Sequence, residues 1–166
     1  MLFSGARSLP TDRVSNCRLL HLTCHGHHDE QDAWESGFSF ARDDPGMRLT
    51  GRAVACWRLA TQLAVLQACS TRRQVTTGTE DGFGLGRFLH LAGVPSLLMT
   101  DWEVRSDVTS LFMDTFYERL RPELESPGPL RGYGAAYRQA VSTVRGHVGH
   151  ARTFLWAPFS IIGAVR

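Results

Sequence analysis

The stretch LLHLTCHG at residues 19–26 decides how this chain is read. Leu19, Leu20, Leu22 and Cys24 make a nearly continuous apolar run too short and too unbroken for an amphipathic helix, and His25-Gly26 stops it. A run of that kind, bounded by glycine, predicts a strand buried on both faces, as in a parallel sheet. A second such run, LAVLQA at 63–68, ends on Cys69. A third strand is predicted over 97–102, behind Pro95-Ser96. A fourth is predicted over 154–162, where Pro158 marks it as an edge strand or the site of a bulge.

The segments between these runs have helical spacing. Thr50 is placed to cap a helix over 51–60 with Val54, Trp57 and Leu59 on its apolar face. A helix over 83–92 turns Phe88, Leu89 and Leu91 inward and stops at Gly93. From Ser106 or Asp107 to about Arg121, Leu111, Phe112, Thr115, Phe116 and Leu120 recur at helical intervals. A last helix is predicted over 133–144, after a linker at 122–130. The stretch 27–47 reads as loop with a small hairpin at 37–41, and 70–82 as a surface loop. Strands alternating with helices predict an α/β open sheet. Residues 1–17 form a polar lead-in, and 18–166 one domain, long enough to bury a core.

Composition narrows the function. Basic and acidic residues number 18 and 16, a net charge of +2, and no basic stripe is visible, which argues against nucleic acid. All the basic residues are arginine. No apolar run approaches the roughly 18 residues that span a bilayer, and no secretory leader is evident. The expectation is a protein of the reducing cytoplasm. The four cysteines, Cys17, Cys24, Cys56 and Cys69, form no CxxC pair. Cys56 and Cys69 in particular lie in apolar surroundings, where a free thiol behaves as a small buried hydrophobe.

In an open α/β sheet, ligands bind beyond the carboxyl ends of the strands. Two predicted strands end there on His25 and on Cys69. If they are neighbours, imidazole and thiol share one crevice, and the imidazole can take the thiol proton or sustain a thiolate–imidazolium pair. Gly26, without a Cβ, lets its N–H approach a substrate carbonyl; with the N–H of Cys69 it makes a candidate oxyanion hole.

A family resemblance sharpens this reading. LLHLTCHGHHD at 19–29, LT at 49–50, LAVLQACST at 63–71, TEDGFGLGRFLHLAGVPSLLMTDWEVRSD at 79–107, FMDTFYERL at 112–120 and FLWAPFSIIG at 154–163 follow one unbroken order. That series resembles the CHAT domain family, bacterial relatives of caspases that are also similar to separases and metacaspases. The resemblance implies a caspase-like three-layer α/β/α sandwich with a mostly parallel sheet, and a cysteine peptidase acting on a protein or peptide. It assigns the dyad to His25 and Cys69. By the same comparison Asp101, Glu103 and Asp107 are the candidates for a pocket holding a basic P1 residue. Asp107 matches the family pattern; Asp101 departs from it, since a small residue usually precedes that Trp. Cys24 stands where the family often has Thr, and Gln67 where it has a small polar residue. Caspase-like folds also carry two strands and a helix ahead of the His-bearing strand, and only about 17 residues precede it here. The expectation is a sheet with a long open edge, in a fragment or a chain completed by a partner, such as a sensor or repeat domain. A catalytically inactive interaction module is the alternative function.

Other features have plainer readings. Adjacent histidines in the cluster His25, His27, His28 and Asp29 rarely address one ion, so no metal and no other cofactor is expected. His21, inside the first strand, reads as a satisfied core histidine. Trp57, Trp102 and Trp156 read as core or pocket wall, GFGLG at 82–86 and Glu80-Asp81 as a helix entry, and His147 and His150 as solvated.

Overall fold

In the computed structural model, residues 2–3, 14–27, 29–40, 48–69 and 85–164 are described, with 2, 3, 68 and 69 as backbone alone. The apolar run that opened the sequence is a strand, and it sits near the middle of a seven-stranded sheet. The strands are β1 (Leu2–Phe3), β2 (Leu19–His27), β3 (Gly37–Ser39), β4 (Arg48–Thr50), β5 (Leu63–Cys69), β6 (Ser96–Thr100) and β7 (Phe159–Gly163). Their order is β4-β3-β2-β5-β6-β7, with β1 also on β2. The centre, β2-β5-β6, is parallel; β3, β4 and β7 join antiparallel.

Burial on both faces explains the run's composition. Alternation along β2 sends Leu20, Leu22 and Cys24 into one core and Leu19 into the other. On β5, Ala64 and Leu66 take the first side and Leu63 and Val65 the second; Leu97 and Met99 oppose Leu98 on β6. The first core is covered by α1 (Gly51–Ala55) and α2 (Gly86–Leu91), through Val54, Phe88 and Leu89. The second is covered by α3 (Ser106–Glu125) and α4 (Tyr133–Val148), and the short α5 (Thr153–Trp156) follows. The three-layer α/β/α sandwich expected from the sequence is therefore the fold.

Connectivity follows from chain direction. The successive steps β2 to β5 to β6 move the same way across the sheet, so their crossover helices α1 and α2 fall on one face. After β6 the chain runs back along α3 and forward along α4, and so re-enters the sheet antiparallel as β7. Phe159 of β7 stacks on Phe112 of α3, with ring centroids 3.9 Å apart, locking that return against the second core.

Several boundaries differ from the sequence reading. His25-Gly26 does not end the first strand: β2 continues to His27 because β3 pairs with it, His25 opposite Ser39 and Gly26 opposite Phe38. The 37–41 segment is thus no separate hairpin but a strand between β2 and β4. The long open edge expected beside β2 is largely taken up, by β1 at His21 and Leu22 and by β3 from His25 to His27. Thr50 does cap α1, accepting the Ala53 N–H at 3.3 Å, but the helix stops at Ala55. Leu91 is 56% exposed, since α2 is too short to bury more than the Phe88-Leu89 side. Cys56 is exposed rather than a buried hydrophobe, because the shortened α1 leaves it at the helix end.

Helix α3 runs through Pro122 to Glu125, where a linker was expected. Its last carbonyls have an external donor: the Arg18 guanidinium reaches Glu123 O at 3.1 Å and Leu124 O at 2.8 Å, and Gly128 O, beyond the helix, at 2.6 Å. The first two are acceptors that a helix end leaves unpaired. Pro158 lies outside β7, in the turn after α5, and β7 is an edge strand, as the proline indicated. The loop at 70–82, Glu80-Asp81, most of GFGLG and His28 lie outside the described residues.

Candidate active site

The parallel centre of the sheet brings the two nominated residues together. β2 and β5 pair in register over seven positions, from Leu19 with Leu63 to His25 with Cys69. Neighbouring strands lie about 4.8 Å apart. His25 and Cys69 are therefore backbone neighbours at the carboxyl ends of adjacent parallel strands. This is where an open α/β sheet presents its ligand site.

An open cleft of about 240 Å³ lies at this end of the sheet. Its wall includes His25, Gln67, Thr100, Trp102, Glu103 and Thr109, from the ends of β2, β5 and β6, the loop after β6, and the first turns of α3. Thr23, the register partner of Gln67, also lines it. The cleft thus follows the β2–β5 pair on the α3 side, one step below the His25–Cys69 row. His25 is exposed and so accessible to a bound molecule.

Cys24, adjacent to His25 in sequence, also borders the cleft. Cys24 is 9% exposed and packs in the first core, on the other face of β2 from His21. Burial pushes its thiol up to about 12, so it carries essentially no thiolate near neutral pH. Cys17 is half-buried and donates to Val14 O at 3.1 Å.

The acidic candidates separate. Glu103 is exposed and on the cleft wall. Asp101 is half-buried and accepts the Ser160 hydroxyl at 2.9 Å. Asp107 makes a two-point ion pair with Arg105, at 2.6 and 3.1 Å, which holds its carboxyl below the usual range. Neither Asp101 nor Asp107 is on the wall of the cleft. Gly26 is half-buried in the β2–β3 pairing next to His25.

Two further wall components are Trp102, which was anticipated, and Gln67, whose role was not. Trp102 was expected as core or pocket wall, and it is wall. It stacks on Phe154 of α5, with centroids 5.4 Å apart, and donates its indole N–H to Phe154 O at 2.9 Å. Gln67 was noted only as an unusual residue, yet it lies on the cleft wall two positions before Cys69. The period of two along β5 was the signal: Gln67 shares parity with Cys69. His21 is the satisfied core histidine that was expected, bonded to Gln67 at 3.2 Å and to the Tyr117 hydroxyl at 2.7 Å.

Among the described residues, no group of three or more His, Cys, Asp or Glu is arranged to hold a metal ion. No described helix is long and apolar enough to cross a membrane. A search of curated proteins returned no match to the chain. The CHAT domain model, in contrast, matches residues 7–164, taking in the whole sheet from β2 onward, both helical layers and the cleft. With nearly the full length matched and a three-layer sandwich to carry the motifs, the chain belongs to the CHAT domain family, a caspase-like, protease-related family.

Proposed function

We propose that this chain is a cysteine endopeptidase whose dyad is His25 and Cys69. The observation that carries the reading is the register of β2 and β5, which makes these two residues backbone neighbours, with His25 on the cleft wall. Positions in register on adjacent parallel strands belong to one face of the sheet, so this backbone register suits a paired imidazole and thiol. Membership of a caspase-like family supports the same chemistry.

In this mechanism His25 takes the proton of the Cys69 thiol, and the sulfur attacks the scissile carbonyl. The oxyanion accepts hydrogen bonds from the backbone N–H groups of Gly26 and Cys69. His25 then returns the proton to the leaving amine as the C–N bond breaks, leaving a thioester on Cys69. Water, deprotonated by His25, hydrolyses the thioester and frees the new carboxylate. For a basic P1 side chain, Glu103 is the acidic group on the cleft wall; Asp101 and Asp107 reach it only by giving up their present partners.

The test is turnover of a peptide library by the purified chain, alongside Cys69→Ala and His25→Ala. The reading predicts cleavage lost by at least about a thousandfold in both variants. Cleavage that survives either substitution defeats the mechanism.

A further inference from the structure

A buried histidine and a half-buried tyrosine lie behind the cleft and take no part in the mechanism above. His21 is 6% exposed, within β2. Its Nε2 is 3.2 Å from Gln67 Oε1, and its Nδ1 is 2.7 Å from the hydroxyl of Tyr117 on α3. The imidazole stacks on the Tyr117 ring at 5.7 Å and 21°, so one tyrosine both packs and hydrogen-bonds it. Gln67 faces the opposite way as well, into the cleft beside His25 and Thr23.

The donor and acceptor roles form a consistent chain. A neutral imidazole has one N–H and one lone-pair nitrogen. The Gln67 carbonyl oxygen can only accept, so Nε2 carries the hydrogen. Nδ1 is then the acceptor, and the Tyr117 O–H donates to it. Burial lowers the affinity of His21 for a second proton and raises that of the Tyr117 hydroxyl, which keeps both groups in these forms. With its oxygen held from behind, the Gln67 side chain has its N–H2 to offer the cleft.

We propose that His21 and Tyr117 are positioning residues that fix the Gln67 carboxamide, making its N–H2 a hydrogen-bond donor to an acceptor on the bound peptide. The proposal rests on the peptidase reading for the identity of the ligand, and on geometry alone for the relay. The site then selects for a carbonyl, carboxylate or amide oxygen on the peptide opposite Gln67. A peptide lacking that acceptor leaves the N–H2 unpaired. It also explains a sequence anomaly: a long amide at a position where a small polar residue is usual needs a fixed partner to be of use, and His21 is that partner.

The experiment has one arm that needs no turnover and one that does. In 15N-labelled protein, the Gln67 side-chain amide pair is assigned by its loss in Gln67→Met. The relay predicts 15N shifts of a neutral, Nε2-protonated His21. It also predicts that the Gln67 amide has an order parameter near that of rigid backbone, about 0.85, falling below about 0.6 in Tyr117→Phe. A His21 with its hydrogen on Nδ1, or a Gln67 amide already mobile in the unmodified protein, overturns the proposal. In the second arm, Gln67→Met and Tyr117→Phe each lower kcat/KM on a cleaved peptide by about two- to tenfold, the size of one neutral hydrogen bond. The double variant is no worse than Gln67→Met alone. Additive losses overturn the relay. Absence of turnover in the unmodified protein defeats the peptidase reading and leaves the first arm to decide the relay.

Discussion

Cys24 is the rival of Cys69 for the role of nucleophile, because it adjoins His25 in sequence. The structure buries Cys24 in the first core, and the consequence can be measured against exposed Cys56. With its thiol pushed up to about 12 by burial, Cys24 has about 3 parts in 100,000 as thiolate at pH 7.5, whereas an ordinary exposed thiol of pKa about 8.5 has about one part in ten. Ionisation alone therefore slows Cys24 by about three orders of magnitude relative to such a thiol, before any steric shielding is counted. The assay is timed alkylation with iodoacetamide at pH 7.5, quenched and mapped by mass spectrometry, with Cys56 as internal reference. Unfolding in urea should bring Cys24 and Cys56 to similar rates. The Cys24→Ala variant should keep peptidase activity and lose about 1 kcal/mol of stability, as a small side chain removed from a packed core. Labelling of Cys24 within about tenfold of Cys56 in the folded protein, or loss of activity in Cys24→Ala without loss of fold, refutes this assignment.

Further predictions follow from the same geometry. Below about pH 9 the folded and unfolded chains both keep the Cys24 proton; above it the unfolded chain releases the proton and the folded chain holds it until about pH 12. Stability should therefore fall as pH rises through that window, by up to about 4 kcal/mol from this group, and denaturant melts of Cys24→Ala should show a shallower alkaline loss. Arg18→Ala removes the donor to two carbonyls at the end of α3 and to Gly128 O beyond it, and a melt should show about 2 kcal/mol lost, or roughly 4–8 °C; a change under about 1 °C counts against that cap. Gly51→Ala puts a Cβ 2.2 Å from the Phe88 ring, so α1 and α2 must move apart, at a cost of about 1–3 kcal/mol by urea titration. Glu103→Gln should lower kcat/KM for peptides with Arg at P1 while leaving neutral P1 peptides unchanged; equal losses on both remove Glu103 from the pocket.

The sheet was legible in the sequence where burial on two faces left an unbroken apolar run. LAVLQA at 63–68 marked β5 to within one residue, and the burial on both faces read from 19–24 matches the two cores that β2 enters. What stayed hidden was set by pairing between distant segments. The extension of β2 past His25 depends on β3, and the run of α3 through Pro122 coincides with an Arg18 cap more than a hundred residues away in sequence. Neither partner leaves a local trace. At the site, expected strand ends and family motifs nominated His25 and Cys69, although β2 runs two residues past His25. The acidic candidates were named from the family resemblance and their place just past β6. Two of the three turn out to be occupied with Ser160 and Arg105, since a charge in a turn takes whatever partner folding brings to it. Gln67 was visible as an oddity, but its partner Tyr117 comes from another layer.

The central claim is that Cys69, activated by His25, is the nucleophile. The most direct measurement is mass-spectrometric identification of the residue alkylated by a peptidyl electrophile that mimics the scissile carbonyl, in the unmodified chain and in His25→Ala. The account predicts a single adduct, on Cys69, formed at least about a hundredfold more slowly in the His25 variant. An adduct on Cys17, Cys24 or Cys56 instead, or a Cys69 adduct that forms equally fast without His25, contradicts it.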